Sequence, residues 1–326
     1  MRLATSEPST QEQGRNPMTE VTATMVKALR DRTGAGMMDC KAALTENAGD
    51  MEQAVDWLRK KGLSKAAKKA ERAATDGLVG VITQGKVGAI VEINSETDFV
   101  ARNAQFQDLV RTVTTLAPQA KGDLGRLLAL PYPDKGAPVD EHVKAMVATI
   151  GENMSVRRTA AVSVGEGVVA EYVHNKVADG LGRIGVLVAL ESKGDKAALA
   201  NLGRQIAMHV AAASPAAVRA EELDPTLVER ERAVYTEQAK AAGKSAEIAA
   251  KMVEGRLRKE FFQQVVLLQQ TFLGAGGDGK ATVEQVLKGA EKTAGAPISI
   301  AAFVRYGLGE GDKGSSEPAG AAAGKA

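Results

Sequence analysis

Gly88-Ala89-Ile90-Val91-Glu92-Ile93 is an apolar run of strand character, and the pattern returns as Gly185-Val186-Leu187-Val188-Ala189-Leu190, 97 residues further on. Short apolar runs rich in branched side chains and opened by glycine read as buried strands. Each run is followed by a helical pattern, one ending before Pro118 and the other before Pro215. Each is also preceded by a shorter strand, at 78–82 and 168–173, after an acidic residue and a glycine. An internal repeat of this kind means two related α+β subdomains, expected at 73–165 and 166–310.

A third strand closes each copy, at 155–164 before Gly165-Glu166-Gly167 and at 299–308 before Gly309-Glu310-Gly311. These strands stand 144 residues apart, so the second copy holds 47 more residues between its helix and its last strand. The insertion, about 224–270, reads as an antiparallel helical hairpin turning at Ala242-Gly243-Lys244. Leu227, Val234 and Tyr235 would form a narrow apolar seam with Ile248, Met252, Leu257 and Phe261 of the second arm. Residues 261–273 continue the hairpin or return to the core, and the segment 118–140 has no assigned counterpart.

Before the repeat, residues 19–72 read as a helical module and a linker. Val26 and Leu29 mark a first helix that stops at Gly34-Ala35-Gly36, and a second runs over 37–47. Asp50 with Gln53 starts a third, carrying Val55, Trp57 and Leu58. Residues 62–74, with Lys65, Lys68, Lys69 and Arg72 among alanines, read as a solvated linker helix. Residues 1–18 are expected to be a disordered leader and 311–326 a flexible tail.

Composition excludes little. The chain of 326 residues carries 42 Lys plus Arg against 40 Asp plus Glu, a formal net charge of +2. That lacks the strong basic excess of a dedicated nucleic-acid binder. A single cysteine, Cys40, rules out a disulfide within the chain and fits a reducing, cytoplasmic compartment. No apolar run approaches the roughly 20 residues of a membrane span.

Three stretches imitate nucleotide loops, and each fails on context. Gly180-Leu181-Gly182-Arg183-Ile184-Gly185 has dinucleotide-loop spacing but leads into a strand, where that motif must open a helix. Gly274-Ala275-Gly276-Gly277-Asp278-Gly279 precedes a helix that begins only after it, at a Thr282–Gln285 capping box. Gly243-Lys244-Ser245 lies at the hairpin tip, with Gln238 where a phosphate loop needs glycine. His142, His174 and His209 have no neighbouring ligand, and Cys40 has no partner histidine at useful spacing. No enzymatic centre and no cofactor or metal site is expected. His209, in the apolar stretch 206–213, reads as a core histidine or as a contact.

Between the first repeat strand and its helix lies Ser95-Glu96-Thr97-Asp98-Phe99-Val100-Ala101-Arg102-Asn103. A large ring in such a loop, in a chain with six Phe, four Tyr and one Trp, is uncommon. Spacing allows two readings: Thr97 or Asp98 caps a turn while Phe99 plugs the local core, or the loop is a finger that enters a partner. Met37 and Met38 are likewise core filler or an adaptable contact surface.

Thr97-Asp98-Phe99-Val100, together with residues 32–41 (Arg32 to Lys41, through Gly34-Ala35-Gly36-Met37-Met38) and Ile206-Ala207-Met208-His209-Val210-Ala211, resembles the bacterial elongation factor Ts family over residues 18–310. The resemblance implies an α+β architecture: a three-helix module similar to ubiquitin-associated domains, two related subdomains with small antiparallel sheets, and a coiled-coil hairpin. It implies a guanine-nucleotide exchange factor for the GTPase elongation factor Tu. Thr97, Asp98, Phe99 and Val100 would enter the GTPase and dislodge its Mg²⁺, and Arg30, Met37, Met38 and His209 would make further contacts. A homodimer or a 2:2 complex is compatible with it. The rival from the residues alone is an RNA- or ribosome-binding protein using the basic residues from Arg59 to Arg72.

Overall fold

The computed structural model describes residues 21–134, 136–243, 245–274 and 279–311. The expected leader, the tail beyond Gly311, Lys244 at the hairpin tip and residues 275–278 of one glycine loop lie outside them. The chain divides into two compact units between Lys65 and Ala66.

The first unit holds α1 (Ala23–Thr33), α2 (Met37–Glu46) and the start of α3 (Met51–Lys69). Thr22 caps α1 by accepting the Met25 amide, and Gly34 ends it in the left-handed region at φ 70°. Asp50 accepts the Gln53 amide at 2.9 Å and starts α3. Val26, Leu29, Cys40, Ala43, Leu44 and Ala54 form the core. One expectation fails here: the third helix and the linker helix are a single element, uninterrupted at Gly62. Glycine inside a helix costs only about 1 kcal/mol relative to alanine, and the buried Gly62 does not stop it.

The second unit carries the repeat. Its first copy runs β1 (Asp76–Gln84), β2 (Val87–Ser95), α4 (Asp98–Ala101), α5 (Ala104–Ala120), α6 (Leu124–Ala129), α7 (Val139–Ile150) and β3 (Met154–Ser163). Next come β4 (Gly167–His174), the short β5 (Leu181–Gly182), β6 (Ile184–Glu191) and α8 (Lys196–Ala213). The chain ends with α9 (Pro225–Ala241), α10 (Ala246–Arg256), α11 (Phe262–Val265), α12 (Val283–Ala294) and β7 (Ser299–Gly307). Two small antiparallel sheets result, ordered β3-β2-β1-β5 and β4-β6-β7.

Strand register shows how closely the copies agree. Gly88 lies opposite Val162 and Gly185 opposite Tyr306, preserving the offsets of 97 and 144 read from the sequence. Both ladders bulge at the same place, between Glu92 and Ile93 and between Ala189 and Leu190. The repeat also reaches further than the sequence pattern indicated, because α12 follows α7 by 144 residues at both ends.

Each sheet buries one face under helices. Leu78, Val91 and Ile93 pack on Phe106, Leu109 and Val113 of α5 and on Val143 of α7. Val188 and Leu190 pack on Ile206 and Val210 of α8 and on Leu287 of α12. The remaining faces meet each other through Val79, Val81, Ile90, Val169, Leu187 and Ala189. That contact depends on two equivalent glycines. A Cβ on Gly88 would stand 2.9 Å from Leu187, and one on Gly185 would stand 3.0 Å from Ile90, its counterpart.

Two sequence readings need correction, and one left open is decided. Helix α5 does not end before Pro118 but carries it in its last turn, where the absent N–H removes one helical bond. In the insertion, α9 and α10 do pack together, yet the buried seam is Tyr235, Ala239, Ala249, Val253, Leu257 and Phe261. Val234, Ile248 and Met252 face outward, because the alanines let the helices approach along a neighbouring stripe. The continuation after Phe261 is helical to Val265, after which Leu267 and Phe272 return to the core of the second copy.

Candidate partner-binding site

The finger begins where the β2–β3 ladder ends, at the pair Ser95 and Met154. Beyond it the strands separate, and two backbone amides find carboxylates instead of carbonyls. The Thr97 N–H donates to Glu152 Oε2 at 3.0 Å, and the Asn153 N–H donates to Glu96 Oε1 at 2.5 Å. The Thr97 hydroxyl donates to Glu152 Oε1 at 2.8 Å, while Ser95 Oγ donates to the Thr97 carbonyl. Val100 and Ala101 are buried, which fixes the C-terminal side of the turn. Asn103 then caps α5 by accepting the amides of Gln105 and Phe106.

Between these anchors Phe99 is 75% exposed. The core-plug reading is therefore overturned: anchoring on both sides directs the ring outward, and Phe106 fills the core beneath. Asp98 is exposed beside it, 3.9 Å from Arg102. With the backbone anchored on both sides, docking costs little main-chain entropy, and the loss falls mainly on the rotamers of the exposed ring.

The other expected contact residues lie apart in sequence. Met37 and Met38, 54% and 76% exposed, occupy the first turn of α2, and exposed Arg30 lies in the last turn of α1. The turn between the helices is held from within. Cys40 is buried and its thiol donates to the Ala35 carbonyl, while Asp39 accepts from Lys61 and Lys65. Burial pushes the Cys40 thiol up, which makes it a poor nucleophile.

His209 is buried. Its Nδ1 accepts the Leu273 amide at 3.2 Å and its Nε2 donates to Gln270 Oε1 at 2.9 Å, so the ring is neutral with the proton on Nε2. Burial lowers its pKa, against the Gln270 hydrogen bond, which raises it. The ring secures residues 270–273, and Leu273, 62% exposed, lines a groove of about 350 Å³ with Met208, Ile184 and Tyr172. Sequence reading missed this groove, because its lining comes from two strands, a helix face and a segment some sixty residues later. The signal present was Met208, a long apolar side chain beside His209 in the motif 206–211.

The basic stretch of the rival reading is largely committed within the chain. Lys61 and Lys65 bind Asp39, Lys69 binds the Gly151 carbonyl, and Arg72 lies 3.5 Å from Glu96. The loop at Gly180 leads into β5 and β6 as expected, and Thr282 with Gln285 forms the expected capping box. Among the described residues no cluster of three or more His, Cys, Asp or Glu could hold a metal ion. No helix among them is long and apolar enough to cross a membrane.

The chain is similar in sequence to known proteins over most of its length. The family model described as Elongation factor TS matches residues 96–310. The chain is 58% identical over 294 residues to Elongation factor Ts of Parvibaculum lavamentivorans, covering 90% of this chain and 94% of the relative. It is 55% identical over 294 residues to that of Rhizobium etli and 57% over 295 residues to that of Rhodospirillum rubrum, each with the same coverage. With the finger, the paired methionines and the repeat lying within the aligned length, the chain belongs to the elongation factor Ts family.

Proposed function

We propose that this chain is a guanine-nucleotide exchange factor of translation elongation, acting in the cytoplasm on elongation factor Tu in its GDP state. The observation that carries the reading is Phe99, a large ring held 75% exposed on a support with buried anchors. In a GTPase the metal bridges phosphate oxygens and backbone amides cradle them, so a wedge that disturbs either weakens the nucleotide. Phe99 and Asp98 are that wedge, supported by Thr97 and Val100. Burial elsewhere across the interface offsets the cost of inserting it. Linkage makes the effect reciprocal: a factor that weakens GDP is weakened by GDP to the same degree.

The remaining surfaces supply the holding contacts. Met37, Met38 and Arg30 form one, on a module of ubiquitin-associated type. His209 forms a second by presenting Leu273 and Met208, and α9 with α10 is a coiled-coil arm. None of these roles needs covalent chemistry or a tuned pKa.

The test is release of a fluorescent GDP analogue from elongation factor Tu. The unaltered chain is expected to accelerate release. Phe99→Ala should slow that acceleration by about tenfold or more, with unfolding stability changed by less than about 0.5 kcal/mol. Acceleration equal in the variant and the parent would remove the wedge from the mechanism.

A further inference from the structure

The finger is held by more than its own turn. Thr97 is the N-cap of α4, yet its side chain makes no capping bond within that helix; it turns to Glu152 instead. Glu152 follows Gly151, whose left-handed conformation at φ 95° ends α7. Asn153 is buried and ties this segment to the chain leading into β1 by donating to the Arg72 carbonyl at 2.7 Å. Glu96 in turn accepts the Asn153 amide and faces Arg72. The pair 96–97 and the pair 152–153 thus form a reciprocal clasp. Each backbone amide bonds the opposite carboxylate, the stronger class of hydrogen bond.

The second copy is an internal control. At the offsets of 97 and 144, Glu96 and Thr97 become Lys193 and Gly194, while Glu152 and Asn153 become Ala296 and Pro297. Every clasp residue is gone, and so is the aromatic, since Phe99 becomes Lys196. There the same two segments join directly, the Asp195 amide donating to the Ala294 carbonyl at 2.8 Å, and α8 begins at once. The clasp and the projecting ring occur together in one copy and are absent together from the other.

We propose that Glu152 is the positioning residue of the finger: by binding both the amide and the hydroxyl of Thr97, it sets the direction in which Asp98 and Phe99 leave β2. The proposal rests on the exchange reading above for its kinetic consequence. Opening the clasp leaves the ring in place but spreads it over orientations, so only a fraction of molecules carries a competent wedge. Tethering surfaces elsewhere are untouched, so the maximal release rate falls more than the binding does.

The test uses the full chain with Glu152→Ala and Glu152→Gln, each alone and with Phe99→Ala. Nucleotide release is followed against factor concentration, and hydrogen exchange of the Thr97 amide is followed by NMR without a partner. Glu152→Ala should lower the maximal release rate about tenfold, move the half-saturating concentration less than about threefold, and speed Thr97 amide exchange by about tenfold or more. Glu152→Gln keeps an acceptor for that amide and should stay within about threefold of the parent. In the Phe99→Ala background, Glu152→Ala should cost clearly less than in the parent, only what Asp98 still contributes, as expected for a residue acting through the finger. An undiminished maximal rate in Glu152→Ala would overturn the proposal, as would an equal loss in the Phe99→Ala background. If the unaltered chain releases no GDP, the exchange reading falls separately. The Thr97 amide then still decides the clasp, and protection unaltered by Glu152→Ala overturns it.

Discussion

The two copies of the repeat share strand register, a bulge and two helices, yet one places the short helix α4 with an exposed ring between its central strand and its long helix, while the other passes through residues 192–195 into one long helix. The difference lies in a few side chains. Where the first copy places Phe106 between α5 and the sheet, the second has Gly203, whose absent Cβ lets α8 approach Ala170. Where the first buries Glu92 at the bulge, bonded by Arg157 and Arg158, the second has alanine at all three positions, Ala189, Ala301 and Ala302. A duplicated framework tolerates such divergence because its register is set by the strands. The helix-facing volume and the polar ties at the strand ends are then free to specialise.

Breaking that framework by volume should have the largest effect. Phe106→Ala is expected to cost about 4 kcal/mol in urea unfolding, the usual range for emptying a fully buried aromatic site. A loss below about 1 kcal/mol would mean that α5 can settle onto its sheet as α8 does. Next comes the buried charge. Glu92→Ala should cost about 3 kcal/mol, because Arg157 and Arg158 lose a carboxylate that also accepts from Asn94 and Gly309. Replacing all three by alanine, as in the second copy, should recover most of the loss; no recovery would show that the ion cluster carries a framework role the other copy fills differently.

A smaller effect separates the copies by pH. His209 aligns with Thr112 of the first copy, so only the second copy carries a titrating group there. Its folded pKa lies below the ordinary histidine value, so it contributes stability above about pH 6.5, which is lost as pH falls through the folded pKa. Thermal melts from pH 7.5 down to 5 should show this loss, and His209→Ala should remove the slope while costing about 2 kcal/mol at neutral pH. An unaltered slope would place the acid-sensitive group elsewhere. The smallest change is expected at Glu171, the counterpart of Val81 in the β1–β4 alignment. Burial raises its pKa against a Thr83 hydrogen bond, and Oε2 has no partner among the described residues. The native state therefore holds its proton more tightly than the unfolded chain, and the stability this contributes, full below the unfolded carboxyl value near 4, is lost as pH rises through the raised folded pKa. Glu171→Gln should flatten that dependence and raise neutral-pH stability by up to about 1 kcal/mol. A loss instead would mean that the ionised carboxylate is satisfied in solution.

Periodicity and repetition carried most of the architecture, because strand burial leaves an apolar run and a duplicated run leaves a measurable offset. The short motifs carried the family, since Thr97 to Val100, residues 32–41 and residues 206–211 each stand intact in the chain. What sequence left undecided was the direction of side chains. Phe99 could fill a core or leave it, and spacing by itself pointed toward the core; the outcome came with Glu152 and Asn153, more than fifty residues away, gripping the base of its turn. His209 likewise became a bonded core ring only because Gln270 and Leu273 fold back over it. In the hairpin, Ala239 and Ala249 joined Tyr235, Val253, Leu257 and Phe261 in the seam in place of Val234, Ile248 and Met252, since close helix approach favours small residues that an apolar count undervalues. Sequence alone determined which segments repeat and which family they resemble, because those are properties of local pattern. Tertiary structure decided which residues stand exposed and which are buried, because that depends on which distant groups claim the hydrogen bonds and space around them.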